Sequence, residues 1–192
     1  MANDRLITND VRTSISHPLS IATLPIGENG GAIGVTFAPG KRQATAMTGI
    51  WERNLDDDLS TIRQWGASDL ITLIEPHEFT ELHIEELPQR AALHGLRWHG
   101  LPITDGAAPD DRFLIPWRAL LPTLLRRLNQ GERVVVHCKG GLGRAGTVAC
   151  LLLLSSGAVS NARHAISLVR DVRPGAVETD VQEAFVAQWP HP

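Results

Sequence analysis

Residues 133–154 read RVVVHCKGGLGRAGTVACLLLL, and this run narrows the fold more than any other part of the chain. β-Branched residues at 134–136 favour an extended strand, and an unbroken apolar run suits a strand buried on both faces. CKGGLG then places three glycines in one short turn. The apolar run after Arg144 is long enough for a buried helix. A strand that feeds a helix through a glycine loop is half of a βαβ unit, and such units build parallel sheets covered by helices.

The rest of the chain alternates in the same way. Residues 1–30 are mixed and polar, and they read as an N-terminal arm with a short strand near Leu19 to Leu24. Residues 31–192 then read as one domain. AIGVTF (32–37) is expected as an edge strand closed by a PGK turn. In NLDDDLSTIRQWGAS the apolar Leu55, Leu59, Ile62 and Trp65 recur at helical spacing. Asn54 is placed to cap that helix, Asp56 to Asp58 suit its positive end, and Gly66 stops it. DLITLIE (69–75) and LRWHGLPI (96–103) read as strands, and EFTELHIEELPQRAALHG between them as one or two helices broken near Pro88. The turn-rich DGAAPDDRFL (105–114) leads into PWRALLPTLLRRLNQG, helical to Gly131 with a kink at Pro122. After the opening stretch come a helix capped at Ser160 and a last helix in TDVQEAFVAQW. The expected fold class is α/β, a central largely parallel sheet flanked by helices on both faces.

A length of 192 residues suits one domain with a sizeable core. The net charge of −3 offers no global basic field for nucleic acid. MANDRLITNDVRTSISHPLS lacks the apolar core of a signal peptide, and the run from Cys150 to Leu154 is too short to cross a bilayer. Nucleic-acid binding and membrane insertion are therefore not expected. Cys138 and Cys150 are the only cysteines, which argues against a disulfide scaffold and for a reducing cytoplasm where Cys138 stays a free thiol.

The loop carries the chemistry. Gly140, Gly141 and Gly143 let the backbone of Lys139, Gly140, Gly141, Leu142 and Gly143 curl until its amides point inward. Such a nest, placed at a helix N-terminus and at the carboxyl end of a strand, binds an oxyanion. The same field favours thiolate over thiol at Cys138. Arg144 can chelate two phosphate oxygens through its planar fork. A nucleotide-binding loop is excluded, because no Gly-Lys-Ser/Thr follows the glycines. A thiolate at the base of a phosphate-shaped cup implies attack on phosphorus, a phosphocysteine intermediate, and an acid to protonate the leaving oxygen. Asp105, just past a strand end and followed by Gly106, is the candidate, although Asp before glycine also suits an Asx-turn. Asp110 and Asp111 fit the first turn of the next helix better. His137 is expected to orient the loop, and Cys150 to be a small core residue. His83, His94, His99 and His164 show no metal-ligand spacing, so no metal or other cofactor is inferred.

HCKGGLGRAGT closely resembles the His-Cys-x5-Arg signature of cysteine-dependent protein tyrosine and dual-specificity phosphatases, and LPITDGAAPD resembles their general-acid loop. FAPGK, PITDG, HCKGGLGR and RPGAVET together resemble the cyclin-dependent-kinase-associated phosphatase branch over about residues 30 to 190. The resemblance implies a nucleophile at Cys138, a phosphate ligand at Arg144, an acid at Asp105, and a phosphorylated protein as substrate. Two positions depart from the pattern. Ala145 stands where the family has Ser or Thr, with Thr147 two residues on, and Glu178 stands where related enzymes often have a water-positioning glutamine, with Gln182 one turn later. Two alternatives remain open from the residues: a phosphatase of a non-protein phosphate (phosphoinositide, nucleotide or sugar phosphate), to which Lys139 lends weight, and a weakly active phospho-binding module, to which Ala145 does. Lys41 suits either a pocket rim or a solvated turn.

Overall fold

A computed structural model describes residues 11–46 and 49–190; of the arm expected over residues 1–30, residues 1–10 lie outside the described residues. The central sheet has five strands in the order β1 (Ala22–Ile26), β2 (Gly31–Phe37), β7 (Arg133–Cys138), β5 (Ala67–Thr72), β6 (Arg97–Gly100). β2, β7, β5 and β6 run parallel, and β1 pairs antiparallel on the outside of β2. The strand expected near Leu19 to Leu24 is β1, shifted by a few residues. Its pairing makes β2 an interior strand with every residue buried, and corrects the edge position expected for 32–37. The central strand β7 carries the Val134–Val136 run, flanked by β2 and β5 at full burial.

Helices cover both faces. α1 (Leu55–Gln64), α2 (Pro76–Glu81) and α3 (Leu87–Leu93) contribute to one apolar layer with Leu59, Ile62, Leu82, Leu87 and Ala91. α4 (Asp111–Asn129), α5 (Gly143–Ser155), α6 (Ala162–Val172) and α7 (Asp180–Ala187) form the other, centred on α5, which is buried from Gly143 to Leu154. An α5 apolar on all sides is possible because β7, α6 and α7 surround it. A small hairpin, β3 (Arg42–Ala46) and β4 (Gly49–Glu52), was not legible in the sequence, since RQATA and GIWE show no strand alternation.

Local signals act largely as read. Asn54 accepts from the Asp57 amide and caps α1, and Asp110 accepts from the Arg112 amide and caps α4. Pro88 sits in the first turn of α3, where its missing N–H costs nothing. α4 runs through both Pro116 and Pro122 as one helix. The cap of α6 is Asn161 and not Ser160: Asn161 is extended and its side chain accepts from the His164 amide. The parallel strands matter most for function, because β7 delivers Cys138 to their carboxyl end, where α5 begins.

Candidate active site

Cys138 is the last residue of β7, pairs with Phe37 of β2, and is 3% exposed. From there the chain turns through Lys139–Leu142 into α5. Gly141 makes this turn possible. Its φ is 71°, and a Cβ there would lie 2.4 Å from the Thr36 carbonyl carbon and 2.6 Å from the Phe37 amide nitrogen. Only glycine fits so close to backbone. The Gly141 amide donates to Cys138 Sγ at 3.2 Å, so the loop folds back over its own sulfur.

The loop's outer side is fixed by groups beyond it. Arg173 donates through Nε to the Gly141 carbonyl and through Nη2 to the Gly140 carbonyl, both at 3.0 Å. These bonds turn the carbonyls outward, and Arg173 replaces the solvent they would otherwise need. The Ala38 amide reaches the Lys139 carbonyl at 3.4 Å. His137 is wholly buried, with Nε2 2.8 Å from Thr72 Oγ1 and Nδ1 3.3 Å from the Cys138 carbonyl. The Cys138 carbonyl can only accept, which assigns the ring proton to Nδ1 and leaves Nε2 to accept from the Thr72 hydroxyl, to which Trp98 Nε1 also donates. Burial pushes the His137 pKa down to about 4, so the ring is neutral and works as a strut.

Arg144 lies on the first turn of α5 and is 1% exposed. Its Nη1 and Nη2 grip both oxygens of Glu78 at 2.6 and 2.9 Å, and Nη1 also reaches the Ile103 carbonyl at 3.2 Å. Burial disfavours both charges, yet their paired hydrogen bonds outweigh it: the Glu78 carboxyl is held below its usual range and the Arg144 guanidinium above. Nη2 also lies 3.1 Å from Asp105 Oδ1. The Nε–H is buried and has no partner among the described residues. A buried N–H donor left over after such a bidentate grip is what a phosphate oxygen would use.

Asp105 is 71% exposed on the loop after β6 and touches the site through Arg144. Gly106 has φ 73°, and the Ala107 amide closes a turn onto the Thr104 carbonyl. The start of α7 holds this loop. Thr179 Oγ1 donates to the Gly106 carbonyl at 2.9 Å, and Gln182 Nε2 reaches the Ala107 carbonyl at 3.4 Å. Asp110 is bound to Arg112 and Asp111 starts α4, so neither enters the site.

Lys139, expected as a phosphate neighbour, pairs with Glu81 at 2.5 Å. Lys41 is 6% exposed, with its ammonium 4.2 Å from the Trp51 ring centre and 4.9 Å from that of Phe37. Burial first, and then the charge of Arg53, lower its pKa to about 8, while the sulfur of Cys138 acts in the opposite sense. Lys41 therefore sits against Phe37, the strand partner of Cys138. Ala145 is buried in the core, and the Thr147 hydroxyl donates to the Gly143 carbonyl at 2.8 Å, so it is occupied within α5. Burial pushes the Cys150 thiol up to about 12, as suits an inert core residue. Glu78 and Arg173 were not singled out from the sequence. Their signal was faint, a carboxylate shortly after β5 and an arginine before Pro-Gly.

The family model described as Swiss Army Knife protein, DSP-PTPase phosphatase domain, matches residues 45–186. Cyclin-dependent kinase inhibitor 3 of Mus musculus is 30% identical over 138 residues, covering 71% of this chain and 64% of that protein, so the match spans less than two thirds of the relative. Protein tyrosine phosphatase PRL-1 of Leishmania major is 41% identical over 88 residues, 43% of this chain and 50% of the relative. Among solved structures, kinase associated phosphatase with a serine in place of its catalytic-site cysteine superposes with a TM-score of 0.75 at 25% identity, covering 88% of this chain and 92% of that one.

Proposed function

The chain belongs to the DSP-PTPase phosphatase family, and on that premise we propose that it is a phosphomonoester hydrolase acting on phosphoproteins, of tyrosine or dual specificity, through a phosphocysteine intermediate. What supports this reading is the geometry of three groups: Cys138 Sγ accepts from the Gly141 amide of its own loop, the buried Arg144 at the end of that loop has a spare Nε–H, and Asp105 lies 3.1 Å from the Arg144 guanidinium. In this mechanism the substrate phosphate docks on the loop amides and Arg144. The Cys138 thiolate attacks phosphorus in line, and the bond to the leaving oxygen breaks as Asp105 delivers its proton. Water then attacks the phosphocysteine, gives its proton to Asp105, and the thiolate departs. Glu78 keeps Arg144 in register through both steps. The assigned domain is residues 31–192, to whose sheet the arm adds β1. We place the protein in the cytoplasm, where both cysteines stay reduced. No helix among the described residues is long and apolar enough to cross a membrane.

A second reading, a phosphatase of a non-protein phosphate, is favoured by the buried cation Lys41, which lies over the ring of Phe37, the β2 partner of Cys138. Its other support, Lys139, is partly neutralised by Glu81. Turnover of an aryl phosphate, a phosphopeptide set and a panel of small phosphates separates the two. We expect aryl phosphate and phosphopeptide hydrolysis without added metal, and no turnover in Cys138→Ser with its melting temperature intact. Full activity in Cys138→Ser would end the proposal.

A further inference from the structure

Val177 is a β-branched residue held at φ 57°, in the left-handed region that such residues avoid. Its neighbours impose this. The Val177 amide reaches the Leu142 carbonyl at 3.4 Å, and Arg170 Nη2 donates to the Val177 carbonyl at 2.9 Å. Arg170 Nε fixes the Ala176 carbonyl at 2.9 Å as well. The strained residue delivers the next one, Glu178, onto the cysteine loop. The Glu178 amide donates to Gln182 Oε1 at 2.9 Å, and its carboxylate Oε2 accepts from the Gly143 amide at 2.7 Å. The fit is close: a Cβ at Gly143 would lie 2.5 Å from Glu178 Oε2 and 2.9 Å from the polar atoms of the Gln182 side chain.

Gly143 N–H is one of the loop amides assigned above to the phosphate. We propose that Glu178 is an internal ligand of the phosphate seat, its carboxylate holding the Gly143 amide until the substrate's phosphate displaces it. The inference rests on the reading of the loop as that seat. A carboxylate oxygen and a phosphate oxygen are equivalent charge-assisted acceptors, and one N–H cannot serve both well. Two anions on the same turn also repel. The carboxylate is free to leave, because its side chain has no other hydrogen bond and no ion pair among the described residues. It departs beside the acid loop, since Thr179 and Gln182 of the same segment hold the Gly106 and Ala107 carbonyls. Glu178 thus sets how strongly the loop takes an oxyanion, and acts on KM before kcat.

The test compares wild type with Glu178→Ala, Glu178→Gln and Glu178→Asp, using tungstate and sulfate as probes. Binding is measured by calorimetry, KM and kcat by aryl phosphate turnover, and folding by thermal melting. Glu178→Ala is expected to bind the oxyanions about tenfold tighter, equivalent to about 1.4 kcal/mol, and to lower KM more than it changes kcat. Glu178→Asp keeps the charge but is one methylene shorter, so it too should bind more tightly than wild type. Glu178→Gln, a neutral acceptor, should fall between wild type and Glu178→Ala. Unchanged or weaker binding in Glu178→Ala overturns the inference, and a lower melting temperature beside it marks Glu178 as a mere cap of α5. Wild-type affinity in Glu178→Asp also overturns it, because the effect would then be one of field and not of occupancy. If no protein, wild type included, binds either oxyanion, the phosphate seat itself falls.

Discussion

Replacing Lys41 by methionine should make the protein more stable and less active. Two buried cations flank the Phe37–Trp51 ring pair. Arg53 is compensated by Asp58, with bonds of 2.7 and 2.8 Å between groups 0% and 1% exposed. Lys41 has the two rings but no carboxylate within ion-pair distance among the described residues. Its pKa falls from 10.5 to about 8 in the folded state. The folded value lies below the unfolded one, so folding disfavours the charged lysine. The penalty is complete below pH 8, shrinks as the pH rises from 8 towards 10.5, and is absent above that. At about 1.36 kcal/mol per pKa unit it amounts to about 3 kcal/mol at pH 7. Methionine fills the volume of the stem but forfeits the cation–π contacts, worth roughly 0.5–2 kcal/mol. The net gain is about 1–2 kcal/mol, which for a domain of this size is roughly 2–8 °C in melting temperature. The same substitution removes a positive charge beside Cys138, so kcat/KM for an aryl phosphate should fall. Thermal melts at pH 7 and at pH 10, with turnover at pH 7, decide the matter. A variant less stable at pH 7, or a gain that persists unchanged to pH 10, refutes the reasoning.

Two further outcomes are expected. Asp105→Asn should lose about 10²–10⁴-fold in rate on esters with poor leaving groups and much less on those with good ones, because only the former need a proton in the transition state; an equal loss across a leaving-group series counts against Asp105 as the acid. Gly141→Ala should destabilise by more than about 2 kcal/mol in urea melts, from left-handed backbone strain plus a contact near 2.4 Å with β2 backbone, whereas Gly140→Ala, with nothing within 4 Å of its Cβ, should melt like wild type. Equal stability of the two alanine variants would show that the loop does not press on β2.

Much of the candidate site was legible because the groups it brings together are local. Cys138, the glycines and Arg144 lie on one strand–turn–helix, so their spacing alone places a thiol and a guanidinium at a helix N-terminus. Asp105 was legible only as a carboxylate after a strand, and its distance to Arg144 depends on β6 and α7. The hairpin β3–β4 and the interior place of β2 were not legible, because short strands with mixed faces carry no period and because strand neighbours are chosen across the sheet. The one-residue shift of the α6 cap reflects two adjacent residues, Ser160 and Asn161, that can both cap.

By itself the sequence determined the α/β alternation, the glycine loop and the candidate groups carried on it, since these follow from periodicity and from backbone freedom over a few residues. Tertiary structure alone decided how those groups are held. Glu78 on Arg144, Arg173 on the loop carbonyls, Thr72 and Trp98 behind His137, and Glu178 on the Gly143 amide are contacts between segments far apart in the chain. Such partners are chosen by packing across a parallel sheet, where closeness in space bears no fixed relation to closeness in sequence.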